Sequence, residues 1–130
     1  MSPFDMQDTI REICKSHGYD LKVILRFNGV APMRYHKDSL EISFHPDRLV
    51  AMANKMNMTI EKAVYFGTLH ELGHHIDSIN GTMGLDKLRN EKVAWSNSRN
   101  LVSTTLLEEY DVFNEINLET YRKLISKKVK

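Results

Sequence analysis

The stretch from Thr59 to Gly81 constrains the fold more than any other part of the sequence. Thr59 is a favoured N-cap residue, Glu61 sits in a first turn where the helix dipole favours a carboxylate, and Asn80-Gly81 supplies a stop. Between them runs a helix of about twenty residues, roughly 30 Å long. On a helical wheel Tyr65, Leu69, Leu72, Ile76 and Ile79 form an apolar stripe, while Ala63, Phe66, Gly67, His70, His74 and Asp77 cluster on the far side. The stripe is expected to face the core. That leaves the histidines beside two very small residues, Ala63 and Gly67, with open space for an ion and a substrate.

The remaining elements follow from periodicity and punctuation. Residues 3 to 17 read as an amphipathic helix, with Met6, Ile10, Ile13 and Cys14 at helical spacing and His17-Gly18 as its end. Strands are expected over Leu21 to Phe27, Met33 to Tyr35 and Leu40 to Phe44, the last two around a polar turn at His36-Lys37-Asp38-Ser39. Pro46-Asp47 opens a helix through about Met56. Beyond Gly84 the pattern is again helical, from Leu85 to about Val102 and then in one or two helices from Thr104 to Lys127. The order is α+β: an N-terminal helix, a small three-stranded sheet, the long helix and C-terminal helices. At 130 residues, 42% of them hydrophobic, residues 1–130 are read as one domain that buries its own core.

Charge and cysteine usage narrow the class. A net charge of +1 argues against a surface dedicated to nucleic acid or an anionic membrane. The acidic run of Glu108, Glu109, Asp111, Glu115 and Glu119, followed by Arg122, Lys123, Lys127, Lys128 and Lys130, reads as a solvated helix end. Cys14 is the single cysteine, so an intrachain disulfide and a cysteine-rich zinc site are both excluded. With no signal-like N-terminus and no apolar run of transmembrane length, the expected location is cytoplasmic.

Within the long helix stands His70-Glu71-Leu72-Gly73-His74, an HExxH motif. Residues four apart share a helix face, so both imidazoles can reach one ion, and two nitrogen ligands suit Zn2+. Glu71 projects about 100° around the helix from His70, beside the ion, where a general base for water belongs. Random placement of this chain's six His and nine Glu yields the motif in roughly two of a hundred such sequences, so its context carries much of the argument. A bland alternative is a helix whose His and Glu are spaced this way by coincidence. A third ligand is required. The metzincin pattern wants Gly at 77 and His at 80, where this chain has Asp77 and Asn80. A carboxylate from a following helix remains, with Glu91 the first candidate and Asp86 the second.

The stretch Ile60 to Asp77, IEKAVYFGTLHELGHHID, together with Glu91-Lys92-Val93-Ala94, resembles the ImmA/IrrE-type metallopeptidases of bacteria and their mobile elements. The resemblance implies a small zincin-like domain of gluzincin type, with zinc at His70, His74 and Glu91 and Glu71 as catalytic base. It also implies a protein or peptide substrate and a regulatory role against a transcriptional repressor of helix-turn-helix type.

Other residues carry two readings each. His75 points about 100° from His74 and is expected to support the site or to lie partly exposed. Asp77 either orients a ligand imidazole or is a solvated carboxylate, and Tyr110, Tyr121, Tyr35 and His36 are equal candidates to stabilise an oxyanion. Leu40 to Phe44 reads as an ordinary buried or hairpin strand, with an edge offered to an extended peptide as the alternative. The seven methionines read as adaptable core filler. Two functions of different class result: a zinc metallopeptidase, or a zinc-binding protein-interaction module whose HExxH site is unused.

Overall fold

The computed structural model describes residues 1–129, with side chains through Lys127, so of the basic tail Lys130 and the side chain of Lys128 lie outside the described residues. The architecture is α+β in the expected order: α1 (Pro3–Ser16), β1 (Lys22–Leu25), β2 (Met33–His36), β3 (Glu41–Phe44), α2 (Pro46–Lys55), α3 (Ile60–Ile79), α4 (Lys87–Ser98) and α5 (Leu107–Val129). A 3-10 turn at Thr104–Leu106 leads into α5. Helix α1 begins with a reciprocal capping box, in which the Ser2 hydroxyl accepts from the Asp5 N–H and Asp5 accepts from the Ser2 N–H. Met6, Ile10 and Cys14 on its inner face are buried, as their spacing predicts. No helix among the described residues is long and apolar enough to cross a membrane.

The sheet order is β1-β3-β2. β2 and β3 form the expected antiparallel hairpin, closed by the turn at residues 37–40, and β1 pairs with β3 in parallel. β3 is therefore central, with both edges occupied. That removes the alternative of peptide addition along residues 40–44, because no backbone donors or acceptors of β3 are left for an incoming chain. The unpaired edges are on β1 and β2. Leu40 belongs to the turn, not the strand, and takes a left-handed φ of 54°.

Helix α3 differs most from its sequence reading. It is buried around most of its circumference, packed by α4, α1, α2 and β2, whereas the stripe predicted one core-facing side. Leu69 and Leu72 from the stripe are fully buried, but so are Ala63, Val64 and Phe66 away from it, while Ile79 from the stripe is 57% exposed. The space expected beside Ala63 and Gly67 is filled, since a Cβ on Gly67 would meet the Met33 side chain at 3.4 Å. Met33, Met52, Met56, Met58 and Met83 all pack against the core as adaptable filler. Full burial of each large apolar side chain contributes roughly 1.5–3 kcal/mol, so α3 is the element around which the domain is stabilised.

Gly73 makes the tightest of these contacts. A Cβ there would lie 2.1 Å from the Ala94 carbonyl oxygen, so α4 touches α3 backbone to backbone. The link between them is held by Asp77, whose fully buried carboxylate accepts from Arg89 Nη1 at 2.6 Å and from the Thr82 hydroxyl. Asn90 adds bonds to both the carbonyl and the N–H of Gly84. Asp77 is thus neither of the two things expected of it: it neither touches a ligand imidazole nor meets solvent. We predict that Gly73→Ala destabilises the protein by about 3 kcal/mol or more, because the obstacle is backbone that cannot rotate away. Urea unfolding monitored by circular dichroism reads this directly, and an unchanged midpoint would refute the close approach.

Candidate metal centre

One helical turn separates His70 and His74 on α3, and their rings meet edge to face with centroids 5.0 Å apart. Both are buried, at 9% and 6% exposure. Because α4 crosses at Gly73, it brings Glu91 against the pair, with Oε1 3.3 Å from His70 Nε2 and Oε2 2.5 Å from His74 Nε2. Of the two carboxylates read from the sequence, the structure brings only Glu91 to the histidines. Asp86 is exposed and caps α4, its Oδ1 accepting from the Arg89 N–H at 3.1 Å.

Helix α5 supplies a residue the sequence reading did not single out. Asn114 places Oδ1 2.8 Å from His70 Nδ1, and its amide nitrogen donates to the Tyr110 carbonyl at 2.8 Å. That second bond fixes which end of the amide faces the imidazole. The acceptor faces Nδ1, so Nδ1 carries hydrogen, and in the neutral ring Nε2 presents a lone pair toward Glu91. A lone pair opposite a carboxylate oxygen repels unless a proton or a cation lies between them. α5 is itself held to α4 by the Trp95 indole and the Arg99 guanidinium, which both donate to Asp111, and by Ser98 bonded to the Tyr110 hydroxyl at 2.5 Å.

The charges follow from this enclosure. For His70, burial works toward a lower pKa but is outweighed by the Glu91 hydrogen bond, the Glu71 and Glu91 charges and the Asn114 contact, which leave it at about 9. Glu91 is held far below the usual carboxylate range, since its bonds to both histidines outweigh its burial. Glu71 moves the other way, pushed up to about 7 by burial against the pull of the two imidazoles and the more distant Arg34.

Two carboxylates therefore compete for the place of third ligand. The ligand atoms of His70, Glu71 and His74 lie within 4.8 Å of one another. Glu91 touches both Nε2 atoms. Glu71 Oε2 and His74 Nδ1 are the buried side-chain atoms left without any hydrogen-bond partner among the described residues. Two imidazole nitrogens and a carboxylate fit a zinc-type cation. Tetrahedral bonds of about 2.0–2.2 Å set ligand atoms roughly 3.3 Å apart; the His70–Glu91 separation of 3.3 Å matches this, whereas His74 and Glu91 at 2.5 Å are in direct hydrogen-bond contact.

A cavity of about 640 Å³ opens onto Glu71, His74 and Glu91, walled by β2, the chain around Met83 and Tyr121 of α5. Of the four oxyanion candidates Tyr121 is best placed, because it lines the cavity with Glu71, His74 and Glu91; burial and the two carboxylates raise its hydroxyl pKa. Tyr110 is buried against Ser98 and does not line the cavity. Tyr35 reaches the cavity wall, but its hydroxyl is bonded to His75 Nδ1 at 2.9 Å, and His36 is bonded to the Ser43 hydroxyl at 2.8 Å. His75 is consequently a buried core residue edge-on to Tyr19 and Tyr35, neither exposed nor in support of His70 or His74. Sequence reasoning missed Asn114 because an amide four residues after a tyrosine carries no ligand signal.

Replacing Asn114 tests the hydrogen bond that orients His70. Asn114→Leu is expected to weaken zinc affinity about ten- to hundredfold in a competition titration with a chromophoric chelator, while Asn114→Asp, which keeps the acceptor, retains it. Equal affinities in all three proteins would show that Asn114 does not orient the ligand.

No protein-family model, curated protein or solved structure matches this chain.

Proposed function

We propose that the chain is a zinc-dependent metallopeptidase acting on a protein or peptide, with His70, His74 and Glu91 holding the ion and Glu71 as the catalytic base. The observation that carries this reading is the convergence of His70 and His74 Nε2 on Glu91 at the wall of an open cavity, with a partnerless Glu71 oxygen beside them. Zinc, when bound, supplies Lewis acidity that polarises a carbonyl and makes water easier to deprotonate. Glu71 takes a proton from the attacking water at Oε2 and returns it to the departing amine nitrogen, a task suited to a carboxylate made more basic by burial. Tyr121 donates its hydroxyl hydrogen toward the oxygen on which negative charge develops. β2 forms one cavity wall with an edge that no strand among the described residues pairs, which suits an extended peptide. The single thiol, Cys14, is buried and pushed up to about 12 by burial, a state suited to a reducing cytoplasm. A repressor as substrate rests on the family resemblance alone.

The full chain purified with zinc should hold about one ion per molecule and cleave an unstructured protein such as casein. Glu71→Gln should retain the metal and lose about a thousandfold in rate. Tyr121→Phe should lose about a hundredfold, also with metal retained. A chain that takes up no zinc would sink the proposal. Zinc uptake without cleavage by the parent, together with a biological effect that Glu71→Gln leaves intact, would make the interaction module with an unused site the better reading.

A further inference from the structure

Arg34 stands at the centre of β2 and lines the cavity with Glu71 and Tyr121. Four of the six other arginines have carboxylate partners, Arg11 with Asp8, Arg89 with Asp77, Arg99 with Asp111 and Arg122 with Glu115 and Glu119, and the remaining two, Arg26 and Arg48, do not line this cavity. Among the described residues Arg34 has no ion pair and no side-chain hydrogen bond, although three carboxylates, Asp38, Glu71 and Glu91, line the same cavity. Glu91 is engaged by both histidines, and Glu71 is buried beside them and meets Arg34 only as a more distant charge, with no direct contact. The other charged wall residues add to the same sign, with Lys37 and Lys87 cationic and Asp38 acidic. Outside the histidine-bound carboxylates the wall therefore carries three cations, Arg34, Lys37 and Lys87, against one anion.

Strand geometry decides which of these cations a bound peptide meets. Tyr35 is turned inward to His75, so alternation sends Arg34 and His36 to the other face. His36 is occupied by Ser43, whereas the guanidinium of Arg34 keeps its whole donor fork available. A guanidinium presents paired N–H donors that match a carboxylate in bidentate fashion. Lys37 and Lys87 lie on the turn after β2 and at the start of α4, further along the wall.

Resting on the peptidase reading, we propose that Arg34 is the specificity-determining residue of the cleft: it binds a carboxylate of the peptide, so acidic segments are taken in preference to neutral or basic ones. An acidic side chain and a free C-terminus both present such a carboxylate, and the same fork serves both.

The test uses the full zinc-loaded chain and four peptide hydroxamates of one backbone: a glutamate side chain with an amidated end, a glutamine side chain with a free carboxylate end, and glutamine or lysine side chains with amidated ends. Dissociation constants come from fluorescence anisotropy, and zinc content is measured separately. At least one carboxylate-bearing compound should bind about tenfold tighter than the uncharged one, and which of the two does so identifies the source. Added salt should shrink the advantage. Arg34→Gln should abolish it, Arg34→Lys should keep part of it, and Arg34→Glu should favour the lysine compound. Equal binding of all four compounds by the zinc-loaded parent, or an advantage that survives in Arg34→Gln, overturns the inference and leaves the peptidase reading intact. A chain without zinc, binding none of the compounds, overturns both. Because Arg34 is exposed, the variants are expected to fold, and their circular dichroism spectra check it.

Discussion

The backbone contact between Gly73 and Ala94 is the constraint on which the rest of this structure depends. Helices kept apart by ordinary side chains sit about 8–10 Å axis to axis, whereas a missing Cβ lets α4 settle directly on the backbone of α3. Only with that approach does Glu91, one turn before Ala94, meet two imidazoles on the neighbouring helix. The glycine inside HELGH is therefore a packing residue with a chemical result. A side chain there would displace the carboxylate even if every polar residue were kept.

Around this contact the polar groups form a chain of dependence. Asp111 gathers Trp95 and Arg99, which sets α5 on α4; α5 then presents Asn114 to His70, with its amide pinned by the Tyr110 carbonyl. On the other side Asp77, Arg89 and Thr82 fasten the link between α3 and α4. Buried polar networks of this kind are costly when one member is missing and rigid when all are satisfied. The atoms left unsatisfied, on Glu71 and His74, lie within the histidine–carboxylate cluster itself.

Local signals in the sequence were read well where they act locally. Thr59 caps α3, Pro46 opens α2, and the turn after His36 closes a hairpin, because capping and turn chemistry involve neighbours in the chain. That His70, His74 and Glu91 meet was legible from a helix-spaced motif followed by a carboxylate on the next helix. What escaped the reading depends on contacts across the fold. The stripe on α3 misled because a central helix is covered on several sides, so apolar periodicity no longer marks one face. Asp77 looked like a site or surface residue because its partner, Arg89, lies twelve positions on and across a turn. Parallel pairing of β1 with β3 could not be inferred from strand patterns alone, yet it decides which edges remain open.

The hairpin has a consequence of its own. Along β2, Met33 packs over Gly67 and Tyr35 is bonded to His75, while Arg34, between them, looks the other way. No residue of this strand contributes an atom to the histidine–carboxylate cluster, which is built wholly on helices. The inward positions are tied to the body of the domain and the outward ones are not. Recognition and chemistry are thus carried by separable stretches of chain, so changes at residues 34, 37 and 38 can retune what the cleft accepts while the packing of the helical cluster stays in place, with position 34 reaching Glu71 only through its charge.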